Sequence, residues 1–199
     1  MLSPDWKPEF GLIYTWLAAD KHGSVAVFVN NNFGNIPSVL LALEGVERRL
    51  DDLTDFLHEE SEKYEDHHFR KNGETVIDMY SSWQYKRYSS VAEINAEIQA
   101  RVRQVGASST EYSFPAFKGV YVYHAVEGYT QGEDYPEGFD GETAMGDYFR
   151  FLMPTVLAGA EDFPSELRRN IAKSEDVDFS DLKIVYGDDI NRIFNRLWR

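Results

Sequence analysis

Strand-forming runs arrive in consecutive pairs along this chain, and that pairing limits the folds open to it more than any other feature. Residues 10–18 (Phe-Gly-Leu-Ile-Tyr-Thr-Trp-Leu-Ala) are rich in strand formers. Asp20-Lys21-His22-Gly23 reads as a turn, Gly23 being free to take positive φ, and residues 24–29 follow as a second strand. A second pair is predicted at 75–80 and 83–88, joined near Ser81-Ser82, and a third at 119–126 and 148–152, where 148–152 fits a strand or a helix and strand is preferred; a last strand is predicted at 182–186.

Helical patterns fall between the pairs. Leu43, Val46, Leu50, Leu53 and Leu57 recur at spacings of 3, 4, 3 and 4, which puts them on one helical stripe. Glu47, Asp51, Asp52, Asp55, Glu59 and Glu62 fill the opposite face, Pro37 suits the first turn, and Gly45 is placed to bend or interrupt the helix. Ser90 with Glu93 forms a capping-box pattern ahead of a second stripe, Val91, Ile94, Ile98, Val102 and Val105, with Gly106 as its stop. A short helix is predicted at 164–173. A last one, capped by Asp188 or Asp189, carries Ile190, Ile193, Phe194, Leu197 and Trp198 on one face. The order ββαββαββαβα predicts an α+β fold: one domain over residues 1–199, with a mainly antiparallel sheet and about four helices packed on it.

The 199 residues are 43% hydrophobic, enough for a core that removes roughly 70% of the unfolded surface from water. Cysteine is absent, which excludes disulfides, thiolate nucleophiles, cysteine zinc sites and iron–sulfur clusters. The first residues lack the basic start and apolar run of a signal peptide. The longest mostly apolar stretch, 151–160, is interrupted by Pro154 and falls short of the roughly 20 residues that span a bilayer. The expectation is a cytoplasmic protein with no membrane partner.

Charge narrows the function classes. Against 20 Lys and Arg stand 34 Asp and Glu, a net −14, so a surface built to wrap nucleic acid or an anionic membrane is disfavoured. The excess concentrates twice. Residues 51–66 hold eight acids and one base, Lys63; residues 119–149 hold seven acids and no Lys or Arg.

Motifs for common chemistry are missing. The chain has no G-x-G-x-x-G, P-loop, G-x-S-x-G or H-E-x-x-H; His58-Glu59 begins like the last, but position 62 is Glu. His67-His68 beside Glu65 and Asp66 is the best metal candidate, yet adjacent side chains diverge on helices and strands alike, and a polar helix end is the simpler reading. His124 shares a strand face with Val122 and Val126, which suits a satisfied core histidine better than a general base. Trp6, Trp16, Trp83 and Trp198 read as core or shelf residues. No cofactor and no metal is expected.

The stretch from Glu127 to Asp147 is the candidate site. Asp134, Glu137, Asp140 and Glu142 are hard oxygen donors for calcium, but their spacing does not match an EF-hand. Aromatics interleaved with acids suit a different task, recognition of a basic protein, in which aromatics anchor and carboxylates steer. The partner-binding residues expected on this ground are Tyr129, Glu133, Asp134, Tyr135, Glu137, Asp140, Glu142 and Asp147.

The opening block, Trp16-Leu17-Ala18-Ala19-Asp20 followed by Gly23, Ala26, Phe28, Phe33-Gly34 and Pro37, resembles small bacterial immunity-type proteins of polymorphic toxin and contact-dependent inhibition systems, over about the first 40 residues. The resemblance implies a cytosolic, stoichiometric inhibitor of one cognate toxin, with no catalytic motif and no binding residue that carries over. Joined to the acidic charge, it leads to an antitoxin that covers a basic toxin domain, a nuclease above all, whose phosphate-binding surface must be cationic. The alternatives are a His/carboxylate enzyme, a metal-dependent hydrolase being one form, with a site of His124 and Glu127 that could extend to His67 or His68, and an acidic mimic of nucleic acid.

Overall fold

The structure, a computed structural model, describes residues 2–104, 110–129, 133 and 135–199. The expected hairpin is present: β1 (Thr15–Ala19) and β2 (Val25–Val29) pair antiparallel, with Ala19 opposite Val25. Asp20 closes the turn by accepting the backbone N–H groups of His22 and Ser24 on one carboxylate oxygen, both at 2.9 Å, and Gly23 takes φ +85°.

The predicted long helix is two. Gly45, at φ +66°, separates α1 (Ser38–Leu41) from α2 (Val46–His58). Then come β3 (Thr75–Ile77), β4 (Tyr80–Ser81) and α3 (Val91–Gln104), with Glu93 N–H bonded to Ser90 Oγ at 3.3 Å as the capping pattern requires. Ile94 and Ile98 are buried, Val91 is exposed, and Val105 and Gly106 lie outside the described residues. The chain continues through β5 (Tyr121–Ala125), β6 (Pro136–Glu137), β7 (Tyr148–Pro154), α4 (Ser165–Arg168), β8 (Ala172–Lys173), β9 (Ile184–Val185), α5 (Ile190–Ile193) and β10 (Arg196–Leu197).

The fold is α+β, and its main sheet is mixed. Eight strands run in the order β10-β8-β1-β2-β5-β7-β3, with β9 also on β7. Pairings β1–β8 and β2–β5 are parallel; the others in this sheet are antiparallel. The mainly antiparallel expectation is corrected at these two places. The strand after β2 in sequence goes to the far side of β7, and β2 instead receives β5 after a long crossover through α1, α2 and α3, the kind of connection a parallel pair requires.

Two other expectations give way. Residues 83–88 form turns rather than a strand: Ser81 Oγ accepts Gln84 N–H at 3.1 Å, Tyr85 N–H bonds Ser81 O at 3.2 Å, and the buried Tyr85 ring pins the turn to the core. The last helix stops at Ile193, and Arg196–Leu197 pair with β8 as an edge strand.

Both faces of the sheet are covered. On one, Leu17, Val25, Val27, Val122, Phe149 and Phe151 meet Leu53, Phe56 and Leu57 of α2 and Ile94 and Ile98 of α3. On the other, Trp16, Phe28, Tyr123 and Tyr148 meet Leu40 of α1, Ile190 and Ile193 of α5, and Phe179. A bulge sets the second register. Val122 pairs with Leu152 but Tyr123 with Arg150, so Phe151 is the extra residue. Phe151 and Leu152 therefore both reach the first core, and Met153 turns to the second.

Two buried cations brace this frame. Arg150 joins Asp78 at 2.7 Å and donates to the Phe179 and Ser180 carbonyls. Lys118, fully buried, donates to Glu59 Oε1 at 2.8 Å and to Phe69 O at 2.9 Å, while Arg70 takes the other Glu59 oxygen at 2.8 Å. The hydrogen bond from Arg70, reinforced by Lys118 against the opposing effect of burial, holds the Glu59 carboxyl at about 2. A folded-state value below the ordinary 4.5 stabilises the fold above that pH, and the stabilisation is lost as pH falls from about 4.5 towards 2. Glu59→Gln should cost about 3 kcal/mol at neutral pH, because Lys118 is left buried without its counter-charge. Urea denaturation of both proteins between pH 7 and pH 2.5 should show the gap closing as the acid limb is reached.

Candidate functional site

The loop after β5 is tied down on three sides. Tyr80 and Ser81 of β4 pair with Glu137 and Pro136 of β6, Ser82 N–H donates to Tyr135 O at 2.9 Å, and Ser82 Oγ donates to Glu133 O at 2.6 Å. Glu133 reaches back to accept Tyr129 N–H at 2.8 Å. At the far end Asp147 accepts Ala144 N–H at 2.8 Å and Gly187 N–H at 2.7 Å, one on each oxygen.

This tethering sorts the residues expected to bind a partner. Tyr129 is 68% exposed, and Glu133, Asp140 and Glu142 also face solvent. Tyr135 is half-buried against the first core, and its hydroxyl accepts Thr143 N–H at 3.2 Å; Glu137 is half-buried in β6. Asp134 lies outside the described residues. Asp147 is corrected: buried, with both oxygens committed to backbone N–H groups, it pins the loop and is withdrawn from any contact surface.

Beside the loop opens a cleft of about 630 Å3 lined by Phe10, Phe33, Trp83, Gln84, Glu127 and Glu133. Four segments distant in sequence build it, and one side chain ties three of them together. Asn32 accepts Gly11 N–H at 2.8 Å on its carbonyl oxygen and donates its amide to Glu127 Oε1 at 2.9 Å. Asn31 and Asn32 sit at φ +40° and +70°, a backbone region that asparagine tolerates better than most residues. Gly146, at φ +91°, backs onto Phe33, where a Cβ would fall 2.7 Å from the Phe33 carbonyl oxygen. Phe10 is 81% exposed and Trp83 54%. The Trp83 ring carries the Lys86 ammonium 3.3 Å from its centroid; Lys86 is not among the cleft-lining residues.

Trp83 and Phe10 were not anticipated as surface residues: the first reads as core or shelf, the second as the start of a strand. Ser81-Ser82 ahead of Trp83 was the available signal, since serine hydroxyls bond nearby backbone N–H groups and favour a turn over a strand.

The histidines go separate ways. His124 is buried, its Nε2 2.8 Å from Glu111 Oε1 and its ring 4.8 Å from that of Phe151, whereas Glu127 belongs to the cleft. His67 packs edge-on to Tyr64 and His68 stacks on Phe56. Burial and the Lys118 charge push the His68 imidazole down. The Glu111 side chain borders a second cleft, about 550 Å3, with Glu97, Arg101, Gln104, Thr110 and Tyr112. Burial pushes the Glu111 carboxyl up, but the charge and hydrogen bond of His124, with His58 and Arg101, hold it below the ordinary range. Among the described residues no three His, Asp or Glu side chains gather as a metal ion would need, at the loop or at His67-His68.

The acidic face of α2 is partly committed to the fold. Glu47 accepts Leu2 N–H at 2.7 Å, and Glu59 holds Arg70 and Lys118. Burial, and the charges of Asp55, Glu47 and Asp52, push the Asp51 carboxyl up. Comparison with protein-family models, with curated proteins and with solved structures returned no match.

Asn32→Ala should release the Phe10–Gly11 segment and the Glu127 side chain together, costing about 2 kcal/mol for the two lost bonds. Increased amide exchange at Gly11 would report the release, with exchange in β1 and β2 slowed as in the parent chain.

Proposed function

We propose that this chain is an acidic binding protein of the immunity type, one that neutralises a cognate cationic toxin domain by covering it and transforms no substrate. The observation that carries the reading is a stretch, residues 119–149, with seven acids and no Lys or Arg, in which Tyr129, Glu133, Asp140 and Glu142 are exposed and Glu127 and Glu133 line a cleft with the solvent-facing rings of Trp83 and Phe10. Exposed aromatics offer large apolar area with little rotamer freedom to lose, and the carboxylates raise the encounter rate with a basic surface. A nuclease fits as the partner because its phosphate-binding surface is cationic and must be covered to be silenced. Such a protein works in the cytoplasm, where the toxin meets its substrate.

An acidic nucleic-acid mimic uses charge without exposed aromatic anchors, and the rings on this face favour the toxin-binding reading over it. The hydrolase alternative draws its support from the Glu111–His124 hydrogen bond beside the second cleft. A His124→Ala variant that abolishes a measured hydrolysis would establish it.

The test of the binding reading is co-expression with candidate toxin domains taken from whatever genes adjoin this one. Growth rescue and a one-to-one complex are expected. Charge reversal at Glu133, Asp140 and Glu142 together should slow association about tenfold or more at low ionic strength, with the deficit shrinking as salt rises. Rescue without a complex, or an association rate indifferent to both the reversal and salt, overturns the reading.

A further inference from the structure

We propose that the cleft between Phe10, Phe33 and Trp83 is an arginine receptor: it takes a guanidinium side chain projecting from a surface loop of the cationic partner. The inference rests on the proposed binding role and names the contact at its centre. Apolar side chains this exposed, gathered from separate segments around one concavity, form a prepared contact surface rather than scattered surface residues.

Chemistry selects the occupant. The walls are rings, and the cleft also holds two carboxylates from different parts of the chain, Glu127 and Glu133. Glu127 accepts the Asn32 amide at 2.9 Å and Glu133 accepts Tyr129 N–H at 2.8 Å, bonds that help set the direction of each carboxylate. A planar cation with several N–H donors satisfies rings and carboxylates together: its face stacks on an aromatic, and its edge donates to oxygens. The Trp83 ring already carries the chain's own Lys86 ammonium 3.3 Å from its centroid; Lys86 does not line the cleft, so the guanidinium would stack on the part of the ring that does. At about 630 Å3 the cleft exceeds one guanidinium, leaving room for backbone and neighbouring side chains of the loop that carries it. A carboxylate or phosphate ligand would meet repulsion from both glutamates, and an aliphatic ligand would make no use of their charge.

The probe is a capped Gly-Arg-Gly tripeptide titrated into the isotope-labelled full chain, with the citrulline tripeptide as its uncharged isostere. Expected are saturable shifts of the Trp83 indole N–H and the Asn32 side-chain amide, at least about tenfold weaker with citrulline. Trp83→Leu, and Glu127→Gln with Glu133→Gln, should each weaken arginine binding by about the same factor. The parent-chain comparison of arginine with citrulline decides the matter even where a variant fails to fold. Equal response to the two peptides, shifts confined to the acids of α2, or no saturable response overturns the receptor. These failures leave the binding role to the rescue experiment. Rescue that survives Trp83→Leu with unchanged partner affinity also overturns the receptor while the binding role stands; arginine binding without rescue keeps the receptor and removes the toxin.

Discussion

Everything in this molecule depends on a sheet buried on both faces. The central strands β1, β2 and β5 carry side chains of one parity into a core against α2 and α3, and those of the other parity into a core against α1, α5 and the Phe179 segment; β7 does the same on either side of its bulge. A sheet covered on both sides has no solvated face on which polar residues could alternate, so its strands read as near-continuous apolar runs. It must also be wrapped by elements that cross from one face to the other. Val46 and Leu50 at the start of α2 belong to the second core, while Leu53, Phe56 and Leu57 at its end belong to the first.

The second core is aromatic, and its geometry explains several local choices. Trp16, Phe28 and Tyr123 lie in adjacent positions across three strands, with ring centroids 4.1 and 4.7 Å apart in stacked pairs. Tyr148 meets the first two edge-on; its hydroxyl accepts the Trp16 indole N–H at 3.1 Å and donates to Asn35 O at 2.9 Å. The approach is so close at Gly34 that a Cβ there would lie 2.4 Å from the Tyr148 ring. One large residue thus dictates a glycine more than a hundred positions away, and the Asn-rich segment after β2 is shaped by the core beneath it.

That segment is where fold passes into site. Asn30 accepts Tyr14 N–H at 2.7 Å, and Asn32 links Gly11 to Glu127, so a loop with little apolar content organises the approach to β1 and the exit of β5. The long loop after β5 is held by β4, by the Ser82 bonds and by the Asp147 pin. Its exposed Tyr129, Glu133, Asp140 and Glu142 therefore stand on a braced support, which lowers the ordering cost of any contact made there.

Local patterning carried a good part of this architecture. Alternating and continuous apolar runs announced β1, β2 and β5, while 148–152 fitted strand or helix and became β7; the Leu stripe announced α2, with Gly45 as its break; Ser90 and Glu93 announced the start of α3. Within the site, Tyr129, Glu133, Asp140 and Glu142 were legible as an acidic, aromatic surface because charge and loop composition are local properties. The rest depended on partners distant in sequence. Residues 83–88 have strand-forming composition yet turn, because Ser81 caps them and Tyr85 has a core to enter. Leu197 has helical spacing yet joins an edge strand, because β8 offers a ladder. Asp147 looks like its acidic neighbours but lies opposite Gly187 N–H. Composition and periodicity determined the class of fold and the sign of the surface. Only tertiary structure decided which strands run parallel, which acids remain in solvent and which rings meet around a cleft, since each of those outcomes is set by groups far along the chain competing for the same backbone and the same buried space.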